Sequence, residues 1–151
     1  MNSGFPPSLV GLVNSKPMKR RRVLLAEDHA AVAEQLRGVL EPEFEVVALV
    51  GDGHALLDAV EAFRPDAIVT DIAMPGVDGI TTTRAILRRN PDARIVFVTV
   101  HGEPALVQQG LAAGALGYVL KLVAGDELVP AVHAALRGER HLSRGVSEDA
   151  P

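Results

Sequence analysis

The stretch that decides the fold runs from residue 67 to residue 79 and reads AIVTDIAMPGVDG. It opens with an apolar run rich in β-branched residues, which is typical of a short buried strand. The run ends on the carboxylate of Asp71, and a Pro-Gly pair then predicts a tight turn. A segment with helical periodicity follows. A strand that leads through a short turn into a helix is the beginning of a βαβ unit.

The same alternation recurs on both sides of this stretch. Four further apolar runs predict strands at Val23 to Ala26, Phe44 to Val50, Ile95 to Thr99 and Gly117 to Leu120. Each of the five runs is followed by a segment with helical spacing of apolar residues, which predicts five helices. With right-handed crossovers, these units form a doubly wound α/β sheet covered on both faces. Pro130 lies near the start of the last helix, where we expect a kink or a late start.

Composition excludes several classes of protein. Hydrophobic residues make up 48% of the 151 residues and aromatic residues 3%, so one mainly aliphatic core is expected. The net charge of -4, with scattered basic residues, argues against a general nucleic-acid or membrane-surface binder. Without cysteine there are no disulfides or thiolate sites, and a cytoplasmic location is expected. The histidines at positions 29, 54, 133 and 141 lack ligand spacing, so surface or capping roles are expected.

Three regions are predicted along the chain. Residues 1–20 form a Pro/Gly/Ser-rich leader that we expect to be disordered. Residues 21–140 form the single folded domain, and residues 141–151 are a tail too short for a second folded unit. No stretch reaches the roughly 20 apolar residues that a membrane-spanning helix needs.

Polar residues that bear chemistry end or directly follow four of the five predicted strands: Glu27 with Asp28, Asp71, Thr99 and Lys121. In an open parallel sheet, ligands bind beyond the carboxyl ends of the strands, so these side chains are expected at one edge. Gathered carboxylates repel one another unless a cation is present, and Mg²⁺ commonly joins carboxylates to a phosphate. A lysine ammonium and a hydroxyl suit the oxygens of a transferring phosphoryl group. The pattern therefore predicts a magnesium-dependent phosphoryl site.

With the residues around Asp71, the acidic pair, Thr99 and the segment 117–121, the chain resembles the receiver domain of two-component response regulators. The resemblance extends over nearly all of residues 22–140. It implies a flavodoxin-like, five-stranded parallel sheet with strand order 2-1-3-4-5 and five helices. It also implies that Asp71 is the phosphoacceptor.

The resemblance also implies roles for the neighbours of Asp71. Glu27, Asp28 and Asp71 would hold Mg²⁺ together with the backbone carbonyl of Ala73. Thr99 and Lys121 would bind the phosphoryl group. Tyr118 matches the switch aromatic, whose ring turns inward in the family as the threonine hydroxyl moves to the phosphate. That movement reshapes the face made by the fourth helix, fifth strand and fifth helix.

A histidine kinase is the partner that the resemblance implies, since Asp71 would take the phosphoryl group from its phosphohistidine. Water would later hydrolyse the acyl phosphate, so the domain is a timed switch and not a turnover enzyme. Residues 136–143, LRGERHLS, resemble the linker of NarL/LuxR-type regulators. We therefore expect control of transcription through a DNA-binding helix-turn-helix domain outside this chain, with possible homodimerisation on phosphorylation. A stand-alone receiver that acts through protein contacts is the alternative.

Two functions of another class compete with this interpretation. Residues 51–56, GDGHAL, follow a strand and have Asp71 about twenty residues on, as in the dinucleotide-binding fingerprint. However, Leu56 replaces the third glycine, and the motif follows the second strand instead of the first. An aspartate-nucleophile phosphatase would share Asp71, Thr99, Lys121 and Mg²⁺. It normally needs a second aspartate where this chain has Ala73.

Overall fold

A computed structural model describes residues 20–149 of the chain. The expected disordered leader, apart from residue 20, lies outside the described residues. Within them there are six strands: β1 Arg22–Ala26, β2 Glu45–Val50, β3 Ala67–Thr70, β4 Ile95–Thr99, β5 Gly117–Leu120 and β6 His141–Leu142. The five helices are α1 Ala30–Leu40, α2 Gly53–Phe63, α3 Gly79–Arg89, α4 Pro104–Ala112 and α5 Ala124–Leu136. A 3₁₀ turn, Lys121–Val123, leads into α5.

All strands of the described sheet run parallel, in the order β2-β1-β3-β4-β5-β6. The flavodoxin-like order predicted for the first five strands is confirmed. The predicted number of strands is one too few, because β6 pairs with the outer edge of β5 through His141 and Leu142. Two residues are too short to produce a periodic signal in the sequence. Part of the predicted tail thus continues the sheet.

Helices cover both faces of the sheet, as the apolar strands predict. Along β1, Val23 and Leu25 face the layer that holds α1 and α5, whereas Leu24 faces the layer that holds α2, α3 and α4. Successive strand side chains point to opposite faces, so a strand buried on both sides is apolar throughout. The buried side chains are mainly aliphatic, with Phe44 and Phe97 among the few aromatic residues.

Helix α5 begins at Ala124, six residues before Pro130, so the expected late start is wrong. Pro130 lies inside the helix, where it lacks the N–H that would bond to the preceding turn. Leu128, Ala131 and Val132 are fully buried around it. Burial of this apolar face keeps α5 helical on both sides of Pro130. None of the described helices is long and apolar enough to cross a membrane.

Candidate functional site

The carboxyl ends of the strands bring two acidic side chains and one lysine into direct contact. Lys121 Nζ lies 2.7 Å from Asp71 Oδ2 and 2.6 Å from Glu27 Oε1. Glu27 and Asp71 are both buried, and the side chain of Lys121 is 15% exposed. Burial disfavours the ammonium, but the two carboxylates outweigh this effect and hold the pKa of Lys121 above its ordinary value. Lys121 is therefore a charged group shared by two buried acids.

Glu27 is buried with a partner at each of its carboxylate oxygens. Its Oε1 lies 2.6 Å from Lys121 Nζ, and its Oε2 accepts a hydrogen bond from the backbone N–H of His29 at 3.0 Å. A buried carboxylate needs such compensation, and a bound cation would add to it. Glu27 and Asp28 are neighbours at the end of β1, and all their oxygens are hard ligands. The residues therefore fit a divalent cation such as Mg²⁺.

His29 lies beside this acidic pair, a contact that the sequence did not predict. Its Nδ1 lies 3.2 Å from Glu27 Oε2 and 3.3 Å from Asp28 Oδ1. One ligand atom from each of the three residues lies within 4.8 Å of the others. His29 also occupies the position before α1, but its side chain makes no capping hydrogen bond. A histidine directly after an acidic pair is a signal that a search for separated ligand spacing does not detect.

The loop after β3 fixes Asp71 through its backbone. The N–H of Ala73 donates to Asp71 Oδ1 at 3.3 Å. Gly76 has a φ of +77°, which the Pro-Gly turn requires and which favours glycine. Asp78 ends the loop by accepting a hydrogen bond from the N–H of Thr81, and so caps α3. The turn predicted from the sequence therefore carries Asp71 between a rigid strand and a capped helix.

Thr99 and Tyr118 contact the same residue, His101, in the loop between β4 and α4. The N–H of His101 donates to Thr99 Oγ1 at 3.3 Å, and the hydroxyl of Tyr118 donates to the carbonyl oxygen of His101. Thr99 and Tyr118 are both fully buried. The Tyr118 ring packs edge-on against Phe97, with 6.1 Å between the ring centroids. The ring therefore points inward, and a single peptide segment joins the two residues.

Tyr118 should titrate far above an ordinary tyrosine. Burial first, and the negative charges of Glu103 and Asp71 next, raise its pKa well above 10.0. Because it is the single tyrosine and tryptophan is absent, the phenolate absorbance of the protein reports Tyr118 alone. We expect no phenolate signal at pH 10 while the chain is folded. A titration near that pH, in a protein still folded by circular dichroism, would contradict the inward, buried ring.

The same shift predicts how stability depends on alkaline pH. The stability that the neutral phenol contributes is fully present below pH 10.0, the ordinary pKa, and is lost as pH rises through the higher folded pKa. The free energy of unfolding of the wild type should therefore fall more steeply above pH 10 than that of Tyr118→Phe. Urea unfolding at several alkaline pH values measures the difference.

The residues that suggested a dinucleotide site have structural roles. Asp52 caps α2 by accepting a hydrogen bond from the N–H of Ala55 at 2.8 Å. A Cβ at Gly53 would lie 2.2 Å from the carbonyl oxygen of Val77, in the loop that follows Asp71. Glycine is thus required here by the close approach of two backbones. Neither residue is left for a phosphate-binding turn.

The sequence profile of the response regulator receiver domain matches residues 23–133. The chain belongs to this family. It is similar to the transcriptional regulatory protein DegU of Brevibacillus brevis, with 35% identity over 130 residues, 85% of this chain and 55% of DegU. The phosphatase and dinucleotide-binding alternatives are therefore set aside. Proteins of this family are signalling proteins and not turnover enzymes.

Solved structures agree with this assignment. A LuxR-family two-component response regulator from Aurantimonas sp. SI85-9A1 matches with a TM-score of 0.78 and 35% identity, over 83% of this chain and 90% of that one. The isolated receiver domain of RcsB from Salmonella enterica serovar Typhimurium, determined with the phosphomimetic BeF₃⁻, matches with a TM-score of 0.78 and 30% identity, over 85% and 96%. The relatives are thus of the NarL/LuxR type. The chain spans little more than half of the length of DegU.

Proposed function

We propose that this receiver is a phosphorylation switch in which Asp71 accepts a phosphoryl group from a histidine kinase. The observation that carries the proposal is the ammonium of Lys121 held between Asp71 and Glu27 at the carboxyl edge of the sheet. Such an ammonium is in place to neutralise negative charge when a phosphoryl group reaches Asp71. The fold positions the groups, and the chemistry itself is simple.

In the proposed step, an oxygen of the Asp71 carboxylate attacks the phosphorus of a phosphohistidine. The O–P bond forms as the P–N bond breaks, and the electron pair returns to the imidazole nitrogen of the kinase. Lys121 then pairs with a phosphoryl oxygen, and the hydroxyl of Thr99 binds another. Glu27, Asp28, Asp71 and the Ala73 carbonyl would hold Mg²⁺, which when bound would supply positive charge to offset repulsion between the carboxylate and the incoming group. Water later releases inorganic phosphate and restores Asp71.

The proposed output is control of transcription. Phosphorylation would alter the face made by α4, β5 and α5 through Thr99 and Tyr118. DegU is named a transcriptional regulatory protein, and it extends well beyond the part it shares with this chain. DNA binding would then belong to a further domain, and phosphorylation would favour a homodimer. A cytoplasmic location is part of this proposal.

Binding of a phosphate mimic tests the proposal and separates its rivals. With Mg²⁺, beryllofluoride should shift the amide NMR signals around Asp71, whereas Mg²⁺ with fluoride alone should leave them in place. The chain should neither bind NAD nor hydrolyse a free phosphoester. Absence of beryllofluoride binding would contradict the switch, NAD binding would favour the dinucleotide alternative, and phosphoester turnover would favour the phosphatase.

A further inference from the structure

Residues 141–149, here called the C-terminal segment, lie against the outer edge of β5. The first two residues form β6, and the N–H of Ser143 donates to the Tyr118 carbonyl oxygen at 3.0 Å. The Ser143 hydroxyl is buried and accepts a hydrogen bond from the N–H of Leu120 at 3.0 Å. The segment therefore satisfies outward backbone groups of β5 up to the residue before Lys121. An unpaired strand edge would otherwise leave these groups to another partner.

Glu127, in the first turn of α5, holds the segment at two points. One of its carboxylate oxygens lies 3.1 Å from His141 Nε2. The other accepts hydrogen bonds from the backbone N–H and Nε of Arg144, at 3.0 and 2.8 Å. Asp126 adds an ion pair to Arg144 at 3.0 Å. Glu127 thus binds both His141 and Arg144, which lie three residues apart. Hydrogen bonds to a charged carboxylate are stronger than those between neutral groups.

The segment also contacts the loop between β4 and α4. A Cβ at Gly102 of that loop would lie 3.6 Å from the carbonyl oxygen of Gly145 and 3.2 Å from Leu120 Cδ2, and a Cβ at Gly145 would lie 2.9 Å from Leu120 Cδ1. Gly145 has a φ of +81°, which disfavours any other residue. Gly102 follows His101, which both Thr99 and Tyr118 bind. The surface that binds the segment therefore includes the loop between β4 and α4, which is hydrogen-bonded to Thr99 and Tyr118.

We propose that the C-terminal segment is an intramolecular ligand of the β5 edge, seated through Glu127, and that phosphorylation of Asp71 tightens its docking. The second part rests on the proposed function. A phosphoryl group bound by Thr99 and Lys121 fixes the loop at one end and the end of β5 at the other. The loop and the end of β5 both belong to the surface that binds the segment, so the docked segment becomes more stable. Phosphorylation of Asp71 thereby changes how firmly the C-terminal segment is bound at the outer edge of β5.

Hydrogen exchange on the full chain tests the docking. Glu127→Gln removes the charge that binds Arg144, so the amides of residues 141–149 should exchange about tenfold faster than in the wild type. Glu61→Gln is the matched control, because Glu61 forms an ion pair with Arg89 on the other side of the molecule. Amides of β1 and β3 should keep their rates in both variants. Unchanged exchange of the segment in Glu127→Gln would overturn the docking through Glu127.

Beryllofluoride with Mg²⁺ tests the coupling. In the wild type and Glu61→Gln it should slow exchange of the segment by about fivefold or more, the lower end of typical coupling between two sites. In Glu127→Gln this slowing should be lost. Protection of residues 71–79 without slowing of the segment would overturn the coupling and leave the proposed function intact. If residues 71–79 are not protected either, the proposed function fails and the coupling fails with it, whereas the comparison of variants still decides the docking.

Discussion

Asp71→Asn is expected to abolish phosphorylation of this chain by acetyl phosphate, with a fall in rate of about a thousandfold or more. The neutral amide of asparagine is a poor nucleophile for phosphorus and cannot form the acyl phosphate. Lys121 would keep its 2.6 Å contact with Glu27, so the variant should stay folded. Incorporation of labelled phosphate, measured beside a thermal unfolding curve, separates a chemical effect from loss of structure.

Asp58→Asn provides the matched control for this prediction. Asp58 is exposed on α2, so the same replacement of aspartate by asparagine there should leave the phosphorylation rate unchanged. If Asp71→Asn accepts phosphate at the rate of the wild type, Asp71 is not the phosphoacceptor. Retained phosphorylation at another carboxylate would also leave the role of Lys121 without support.

The parallel sheet, and the meeting of polar residues at the carboxyl ends of its strands, could both be predicted from the sequence for one physical reason. Strands buried on both faces are apolar throughout, so each appears as a run that stops where the chain leaves the core. Parallel topology then places these stops at one edge. Glu27, Asp71 and Lys121 lie together there, while their roles in phosphoryl transfer stay predictions.

Features that depend on side-chain partners distant in sequence could not be predicted in this way. β6 is two residues long, and the residues that follow it contact Leu120 through the Ser143 hydroxyl and Glu127 through Arg144. Neither contact has a local signature in the sequence. The path of α5 through Pro130 likewise depends on burial of its apolar face, which a rule about proline alone does not contain.

Gly79→Ala is expected to damage both stability and phosphorylation, although the substitution is small. A Cβ at Gly79 would lie 2.2 Å from the carbonyl oxygen of Asp71 and 3.0 Å from the Cα of Ile72. Both are backbone atoms, so no side chain can rotate away and the loop itself must move. The strain should lower the free energy of unfolding by about 1–3 kcal/mol. Because the loop carries the phosphoacceptor, the rate with acetyl phosphate should fall by about tenfold to a hundredfold.

Gly38→Ala is the control that isolates this steric effect. Gly38 is exposed in the last turn of α1, and a Cβ there meets nothing within 4 Å. Alanine is the better helix former, so this variant should gain up to about 1 kcal/mol of stability and keep the phosphorylation rate of the wild type. Urea unfolding and initial phosphorylation rates measure both effects. Equal stability and equal rate in Gly79→Ala would mean that the backbone at Asp71 does not need glycine opposite it, and that its position is less tightly fixed than the close approach implies.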